Sequence, residues 1–192
     1  RSLTGSPRIH DALLDMLIGA VDALKTGDPG DPGVDIGPVI DVTAKTRIEG
    51  YVADMDAAGR LIHQWPAPKG GHFVGPSLIR VSGIEQVTQE VFGPVLHIAT
   101  WKGGEVDKVI DTINGLGYGL TFGVHSRNES FANAVAQKIR VGNVYVNRNI
   151  IGAVVGVQPF GGQGFSGTGP KAGGPHYLHR FATEKTCTVN TT

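Results

Sequence analysis

The chain has 192 residues, enough for one ordinary domain with a hydrophobic core and too few for two large ones. Hydrophobic residues make up 40% and charged residues 18%, which excludes an intrinsically disordered chain. Lys and Arg together number 17, and so do Asp and Glu, so no net charge draws the chain to nucleic acid or to an anionic membrane. We therefore expect a soluble domain with small-molecule or protein partners and no nucleic-acid partner.

Further features bear on the compartment. The longest apolar stretch, residues 150–157, is too short to cross a bilayer, and no signal peptide is found. The single cysteine, Cys187, allows no disulfide within the chain, which fits a reducing compartment, and we expect a cytoplasmic protein. Because the sequence begins without an initiator Met, we also expect an excised fragment.

Apolar periodicity predicts two helices in the first third of the chain. The first covers 9–24, where Leu and Ile recur on one stripe, and it ends at Gly and Pro. A loop rich in Gly, Pro and Asp follows over 28–38. The second helix covers 42–58, with Asp41 or Thr43 as its N-cap.

Short apolar runs and helical patterns then alternate. Strands or extended pieces are predicted at 61–64, 73–74, 77–81, 95–101, 120–125 and 142–147. Helices are predicted at 86–91, 105–114 and 129–139, the last with Asn128 as its cap. The alternation predicts an α/β fold with a mostly parallel sheet flanked by helices. A Gly-rich irregular region and an extended, Thr-rich tail at 183–192 follow.

A carboxylate and an aromatic ring stand two positions apart, at Glu90 and Phe92, just ahead of the strand predicted at 95–101. The carboxylate can accept two hydrogen bonds from a vicinal diol such as that of a ribose, and the ring can pack on a flat heterocycle. By itself, however, the pair is more typical of a surface Glu beside a core Phe.

Glycines are concentrated after position 150. Gly162, Gly164 and Gly167 match the dinucleotide pattern G-x-G-x-x-G, but no helix can begin well in the Gly- and Pro-rich residues that follow, so we reject a dinucleotide site there. Close backbone packing explains this loop better. Free N–H groups within 152–156 could bind a carboxylate, although a tight packing loop explains the same residues.

The histidines and the cysteine predict neither a metal site nor a nucleophile. His176 and His179 are three positions apart, but no Cys, Asp or Glu stands near them, so we predict no metal. His97 lies in the strand predicted at 95–101, where we expect a core residue with its hydrogen bonds satisfied. Cys187 lies in the tail, with no helix N-terminus to favour its thiolate, so we do not expect it to be a nucleophile.

Five segments together resemble the aldehyde dehydrogenase superfamily, in its order and spacing and across nearly the whole chain. They are 35–40 (DIGPVI), 90–95 (EVFGPV), Asn114 with 118–121 (YGLT), 142–147 (GNVYVN) and 159–162 (PFGG). A narrower resemblance covers 147–160, 166–171 and 173–177. It is to the glutamate-semialdehyde (pyrroline-5-carboxylate) dehydrogenase part of the bacterial bifunctional proline utilisation proteins.

The resemblance implies an aldehyde dehydrogenase catalytic-domain fold over 1–182, incomplete in this chain. In the tail, 183–192, it implies the strand that pairs subunits of such enzymes into homo-oligomers. It also implies a thiol mechanism: a Cys thiolate attacks the aldehyde, hydride passes to NAD, and the thioester is hydrolysed to glutamate. Glu90 would then bind the nicotinamide ribose, with Phe92 near the nicotinamide.

On the substrate side, the resemblance implies that Gly152 and Ala153 anchor the α-carboxylate of glutamate semialdehyde through their backbone N–H groups. Phe160 would pack on the aliphatic chain of the same substrate. In the family, the nucleophilic Cys lies a few residues ahead of the position that Arg1 matches. The general-base Glu, the oxyanion-hole Asn and the NAD-binding domain lie further upstream.

No residue of this chain is therefore assigned a catalytic role, and we predict that the chain alone is inactive. Its partner would be the missing N-terminal part of its own polypeptide. The resemblance also implies FAD in an upstream proline dehydrogenase domain, if the parent carries one, and a parent that could be peripheral at the inner membrane.

Two alternatives stay open. A general aldehyde dehydrogenase would act on another substrate; the loop at Gly152 and Ala153 discriminates, because only a substrate with an α-carboxylate needs it. A non-catalytic module with the same fold would serve assembly; the intact pair Glu90 and Phe92 speaks mildly against it, because a purely structural copy need not keep a cofactor site.

Overall fold

The computed structural model describes residues 2–5, 9–154 and 156–192, and the chain divides into two units, Arg1–Val109 and Ile110–Thr192. We call them the N-terminal unit and the C-terminal unit. The main elements described for the N-terminal unit are β1 (Ser2–Gly5), α1 (His10–Asp22), α2 (Val42–Ala57), β2 (Leu61–Gln64), β3 (Ser77–Arg80) and β4 (Val95–Thr100).

The strands of the N-terminal unit form one sheet in the order β1-β4-β3-β2. Strand β4 pairs in parallel with β1 on one side and with β3 on the other, and β3 pairs antiparallel with β2. The register of β2 shifts between Leu61 and His63, an irregularity of the kind found at sheet edges. The sheet is thus mostly parallel, as the sequence predicts.

Helix α2 forms the core of this unit together with the sheet. Asp41 caps the helix, because its Oδ1 accepts a hydrogen bond of 2.7 Å from the Ala44 N–H. Ile48 and Val52, one turn apart, are 0% and 2% exposed. They belong to a cluster with Val74, Ile79, Val81, Val95 and Ala99. Burial of this apolar surface, at about 25 cal/mol per Å², is the main term that holds α2 in place.

His97 is a buried polar side chain in the middle of β4. It is 1% exposed, and a hydrogen bond of 2.7 Å joins its Nε2 to the Tyr51 hydroxyl on α2. The two rings also meet edge to face, with centroids 5.8 Å apart. The prediction of a core histidine with a satisfied ring is confirmed.

Helix α3 (Val106–Gly115) contains the division point between the units. The elements that follow it are β5 (Tyr118–Gly119), β6 (Thr121–Val124), α4 (Glu129–Lys138), β7 (Asn143–Val146) and β8 (Gln163–Gly164). Strands β6 and β7 are parallel and are connected through α4, which makes a β-α-β unit. Strands β5 and β8 pair antiparallel.

Helix α4 begins at the Asn128 cap that the sequence predicts. The Asn128 side chain accepts a hydrogen bond of 3.1 Å from the Phe131 N–H at the N-terminus. Glu129 lies in the first turn and Lys138 in the last, each with the charge that the helix dipole favours. The helix buries Ala132 and Val135.

The structure departs from the sequence-based predictions at short elements. The prediction of a helix at 86–91 is wrong, because a 3-10 turn at Ile84–Gln86 is followed by irregular chain up to β4. Residues 73–74 lie outside the strands. The sequence does not predict β1, because four residues are too few to show an alternating pattern.

The tail, 183–192, is exposed along its length and contains no strand in the single chain, all ten positions being described. Its pairing with a second subunit therefore stays a prediction. Among the described residues, no helix is both long enough and apolar enough to span a membrane.

Candidate functional site

A cavity of about 170 Å³ opens in the N-terminal unit between α2 and the irregular segment that precedes β4. Its lining residues are Arg47, Ile48, Tyr51, Gln86, Val87, Thr88, Gln89, Glu90 and Val91. The helix contributes a guanidinium and a phenol, and the segment contributes a carboxylate. The cavity therefore combines apolar side chains with a few polar groups, and its volume is smaller than that of a typical ligand pocket.

Glu90 and Phe92 occupy different positions relative to this cavity. Glu90 is exposed and lines it, whereas the Phe92 ring is 75% exposed and is not part of its lining. Gly93, the next residue, lies so close to α2 that a Cβ there would be 2.6 Å from Ile48 Cδ1. The close approach fixes the segment against the helix. The roles of Glu90 and Phe92 toward a nucleotide stay predictions.

Tyr51 forms a fixed part of the cavity wall. Its hydroxyl is held by His97 at 2.7 Å, and burial raises the pKa of the Tyr51 phenol, an effect that the Arg60 charge opposes. The neutral phenol is therefore the form present at physiological pH. The sequence gives one signal for Tyr51: it stands three positions after the buried Ile48 and so shares its helix face.

The donor set fits one ribose diol. The Glu90 carboxylate can accept from two hydroxyls, and the Arg47 cation offers hydrogen-bond donors on the same cavity. The cavity has room for a sugar-sized group, not for a whole dinucleotide. The described residues of this unit would thus hold part of such a cofactor.

The second candidate site lies in the C-terminal unit, in the loop that follows β7. Gly152 has a φ of 65° and Gly156 a φ of 79°, values that favour glycine. The Val154 N–H donates to Gln158 Oε1 at 3.1 Å. Within the described part of the chain, no partner is found for the N–H groups of Gly152 and Ala153, both half-buried. Two adjacent free donors of this kind can bind a carboxylate.

Phe160, further along the same loop, is half-buried and tightly held through its backbone. Its N–H and C=O both pair with Ala172, each at 3.0 Å. On either side, Asn143 Nδ2 donates to the Pro159 C=O at 2.9 Å, and the Gly161 N–H donates to Asn143 Oδ1 at 3.3 Å. The structure thus presents the ring from a fixed backbone.

The glycines of this loop serve close packing. A Cβ on Gly142 would lie 1.6 Å from the Gly161 carbonyl oxygen, and one on Gly162 would lie 2.5 Å from that of Ser166. The Lys171 ammonium donates to the Gly142 carbonyl. A short strand and turns, and no helix, surround the G-x-G-x-x-G match. The close backbone packing expected of this loop is thus observed, and the rejection of a dinucleotide site there stays a prediction.

Sequence reasoning missed what the asparagines of the C-terminal unit do. Asn114 donates to the Lys138 C=O at 3.0 Å and accepts from the Arg140 N–H at 2.7 Å. Asn147, at a φ of 53°, exchanges two hydrogen bonds of 2.9 Å with the Ser126 backbone. Together with Asn143, these side chains clamp backbone segments that are distant in sequence. The sequence offers little signal for these roles beyond a neighbouring glycine at Asn114 and at Asn143.

Comparison with known proteins identifies the family. Residues 6–187 match the sequence profile of the Aldehyde dehydrogenase family. The chain belongs to the aldehyde dehydrogenase family. The resemblance found in the sequence and the α/β aldehyde dehydrogenase fold that it implies are thereby confirmed.

Two similar proteins within the aldehyde dehydrogenase family are both PutA proteins. The "Bifunctional protein PutA" of Klebsiella aerogenes is 46% identical over 96% of this chain and 15% of its own length. A crystal structure of Bradyrhizobium japonicum Proline Utilization A (PutA) superposes with a TM-score of 0.92 at 51% identity, over 100% of this chain and 20% of that chain. The resemblance to the proline utilisation proteins is confirmed.

A third relative is a structure of 1-pyrroline-5-carboxylate dehydrogenase from Thermus with bound NAD. It superposes with a TM-score of 0.83 at 31% identity, over 94% of this chain and 35% of that chain. This chain therefore spans a fifth or less of the PutA relatives and about a third of the separate dehydrogenase.

The histidine pair and the cysteine lie at the surface of this aldehyde dehydrogenase chain, and the predictions of no metal site and no nucleophile stay predictions. The rings of His176 and His179 lie 5.6 Å apart on the surface. No group of three or more His, Cys, Asp or Glu side chains in the described ranges is arranged to hold a metal ion. Cys187 is exposed in the tail and has no described hydrogen-bond partner.

Proposed function

We propose that this chain forms part of an NAD-dependent L-glutamate γ-semialdehyde dehydrogenase, which oxidises the open form of pyrroline-5-carboxylate to glutamate. The observation that carries the proposal is the pair of N–H groups at Gly152 and Ala153, which have no partner among the described residues. An aldehyde without a carboxylate has no use for such a pair, whereas glutamate semialdehyde carries an α-carboxylate that needs one.

The substrate half of the site follows from this pair. The α-carboxylate accepts hydrogen bonds from both N–H groups, and each charge-assisted bond contributes about 1.5–3 kcal/mol. The backbone N–H and C=O of Phe160 are both bonded to Ala172, and the Phe160 ring packs on the methylene groups of the same substrate. Together they would bind one end and the middle of the substrate, and leave the aldehyde end to the reacting groups.

In this proposal residues of the N-terminal unit bind the cofactor. NAD, when bound, supplies the acceptor for the hydride that leaves the aldehyde carbon. The Glu90 carboxylate accepts from the ribose hydroxyls beside Arg47, and the exposed Phe92 ring is free to pack on a flat heterocycle. The Thermus relative, whose name records bound NAD, supports this cofactor.

The nucleophile comes, in this proposal, from outside the chain. Cys187 lies in the exposed tail, and no hydrogen-bond partner is described for it. The partner is then the rest of the same polypeptide, with a FAD-containing proline dehydrogenase domain ahead of it as in a bifunctional protein. Subunits pair through 183–192, and the protein works in the cytoplasm, with peripheral contact at the inner membrane.

The test compares two aldehydes in the full-length protein that carries this chain. NADH formation is followed with pyrroline-5-carboxylate and with pentanal, which has the same number of carbons and no carboxylate. We expect kcat/KM to be at least about a hundredfold higher for pyrroline-5-carboxylate, since two charge-assisted bonds are lost with pentanal. Equal values would favour a general aldehyde dehydrogenase, and no turnover of either would favour an assembly module.

A further inference from the structure

Two side chains of β7 reach the loop that carries the substrate anchor. Asn143 and Tyr145 stand two positions apart on the strand, so both side chains leave it on the same face. The Tyr145 hydroxyl donates to the Gly152 carbonyl at 2.7 Å. Asn143 bonds to Pro159 and Gly161, at 2.9 Å and 3.3 Å. One face of one strand thus holds both parts of the loop.

The hydrogen bond from Tyr145 orients a neighbouring donor. The Gly152 carbonyl and the Ala153 N–H belong to the same planar peptide group, in which a trans bond points them in opposite directions. Fixing the carbonyl on the Tyr145 hydroxyl therefore directs the Ala153 N–H away from the strand. Without that bond, the peptide plane on the C-terminal side of Gly152 could rotate, because glycine has wide backbone freedom.

Asn143 acts on Phe160 by the same geometry. The Pro159 carbonyl shares a peptide plane with the Phe160 N–H, and the Gly161 N–H shares one with the Phe160 carbonyl. Asn143 therefore fixes both peptide planes that flank Phe160, and Ala172 pairs with the opposite edges of those two planes. Four hydrogen bonds thus restrain the backbone on both sides of the ring.

Tyr145 is itself held rigid. The side chain is 5% exposed, and the Arg148 guanidinium lies over its ring, with the Cζ atom 5.0 Å from the centroid. A buried ring whose hydroxyl has one partner holds the Gly152 carbonyl at a fixed position relative to β7. β7 itself is fixed by parallel pairing along β6, from Asn143 to Val146.

We propose that Tyr145 and Asn143 are positioning residues of the substrate site. Tyr145 aims the Ala153 donor at the carboxylate and so sets selectivity for substrates that carry one. Asn143 holds the Phe160 ring and so serves every aliphatic aldehyde that enters. The inference rests on the proposed function, because it gives two residues of β7 the task of positioning the groups that bind the substrate there.

The chain offers matched controls. Asn114 makes the same kind of two-bond clamp, to Lys138 and Arg140, and these bonds lie outside the loop. Tyr118 is 62% exposed, and its hydroxyl has no partner among the residues that the structure describes. Asn114→Ala and Tyr118→Phe therefore make the same chemical changes without touching the anchor.

The experiment measures kcat/KM for pyrroline-5-carboxylate and for pentanal in the full-length protein and its variants, with thermal unfolding alongside. Tyr145→Phe should lower the preference for pyrroline-5-carboxylate over pentanal roughly fivefold, through KM, with the pentanal value unchanged. Asn143→Ala should lower kcat/KM for both aldehydes roughly tenfold and leave the preference unchanged. Asn114→Ala should lower only the Tm, and Tyr118→Phe should change nothing.

If Asn143→Ala does not fold, Asn143→Ser replaces it, because a hydroxyl keeps a polar group on β7 and places no charged oxygen against the Pro159 carbonyl; we expect a fall for both aldehydes with the preference unchanged. A preference that survives Tyr145→Phe, or an Asn114→Ala variant that matches Asn143→Ala in kinetics, overturns the inference and leaves the proposed function standing. A wild-type protein without preference contradicts the proposed function, and the inference with it.

Discussion

The two candidate sites, one in each unit, are built in opposite ways. In the N-terminal unit the groups that face the cavity are side chains, Glu90 and Arg47 above all, and Glu90 is already a candidate from the sequence. In the C-terminal unit the proposed binding groups are the backbone N–H donors at Gly152 and Ala153 and the Phe160 ring, and the Asn143 and Tyr145 side chains hold the backbone that carries them. In this account side-chain identity acts directly at the first site and largely through backbone geometry at the second.

This difference has a practical consequence for variants. A change of one functional group in the cavity should remove one interaction and leave the rest of the unit intact. A change that moves the backbone of the loop should affect several contacts together, because Asn143, Tyr145 and Lys171 are all bonded to main-chain atoms. Four predictions test this contrast, from the largest effect to the smallest.

The largest effect concerns the chain by itself. Both sites offer binding groups and no attacking group, so the purified 192-residue chain should give no NADH from pyrroline-5-carboxylate, and Cys187→Ser should give the same result. An NADH absorbance assay measures this, with the full-length protein as the positive control. Turnover by the chain that Cys187→Ser abolishes would make Cys187 a nucleophile after all.

The second prediction concerns the backbone packing of the C-terminal unit. Gly142→Ala would place a Cβ 1.6 Å from the Gly161 carbonyl oxygen, so strand and loop must separate. We expect the free energy of unfolding to fall by about 3 kcal/mol, as measured by urea unfolding. Gly115→Ala, where nothing lies within 4 Å of the added carbon, is the control and should stay near the wild-type value. Equal stability of the two variants would show that this close approach is not maintained.

The third prediction separates donor geometry from loop strain. Gly152→Ala forces a side chain onto a φ of 65°, at a cost of about 1 kcal/mol, and no atom within 4 Å blocks the added carbon. KM for pyrroline-5-carboxylate in the full-length protein should rise roughly fivefold while the pentanal value is unchanged. Gly156→Ala has a similar φ of 79° and similar free space, and should leave both KM values unchanged. The same rise in both variants would mean that strain, not the donor, is responsible.

The smallest expected effect lies at the cavity. Glu90→Gln replaces a charged acceptor with a neutral one of the same shape, so KM for NAD should rise about threefold, with KM for the aldehyde unchanged. Glu85→Gln is the control, because Glu85 is exposed nearby and does not line the cavity. If Glu85→Gln raises KM for NAD as much as Glu90→Gln does, general surface charge explains the effect.

The sequence predicts the elements that depend on local pattern. Helix α2, its Asp41 cap and the β-α-β unit around α4 follow from periodicity and end signals, and His97 follows from its place in an apolar strand. The family resemblance predicts which residues surround the sites. The prediction of short elements fails because four residues, as in β1, are too few to show a periodic pattern.

What the sequence does not predict are contacts that depend on distance in three dimensions. The two bonds of Asn143, the hydroxyl of Tyr145 on Gly152 and the approach of Gly142 to Gly161 join residues 7 to 19 positions apart. No local pattern marks such pairs. Phe92 is a further case: its spacing from Glu90 suggests a shared ligand, yet the ring lies outside the cavity that Glu90 lines.

A crystal structure of the full-length protein with glutamate bound tests the central claim most directly. We expect the α-carboxylate oxygens within about 3 Å of the Gly152 and Ala153 nitrogens, with the Phe160 ring against the methylene groups. A glutamate whose α-carboxylate is held by side-chain cations elsewhere, with these two N–H groups bonded to water, would contradict the account.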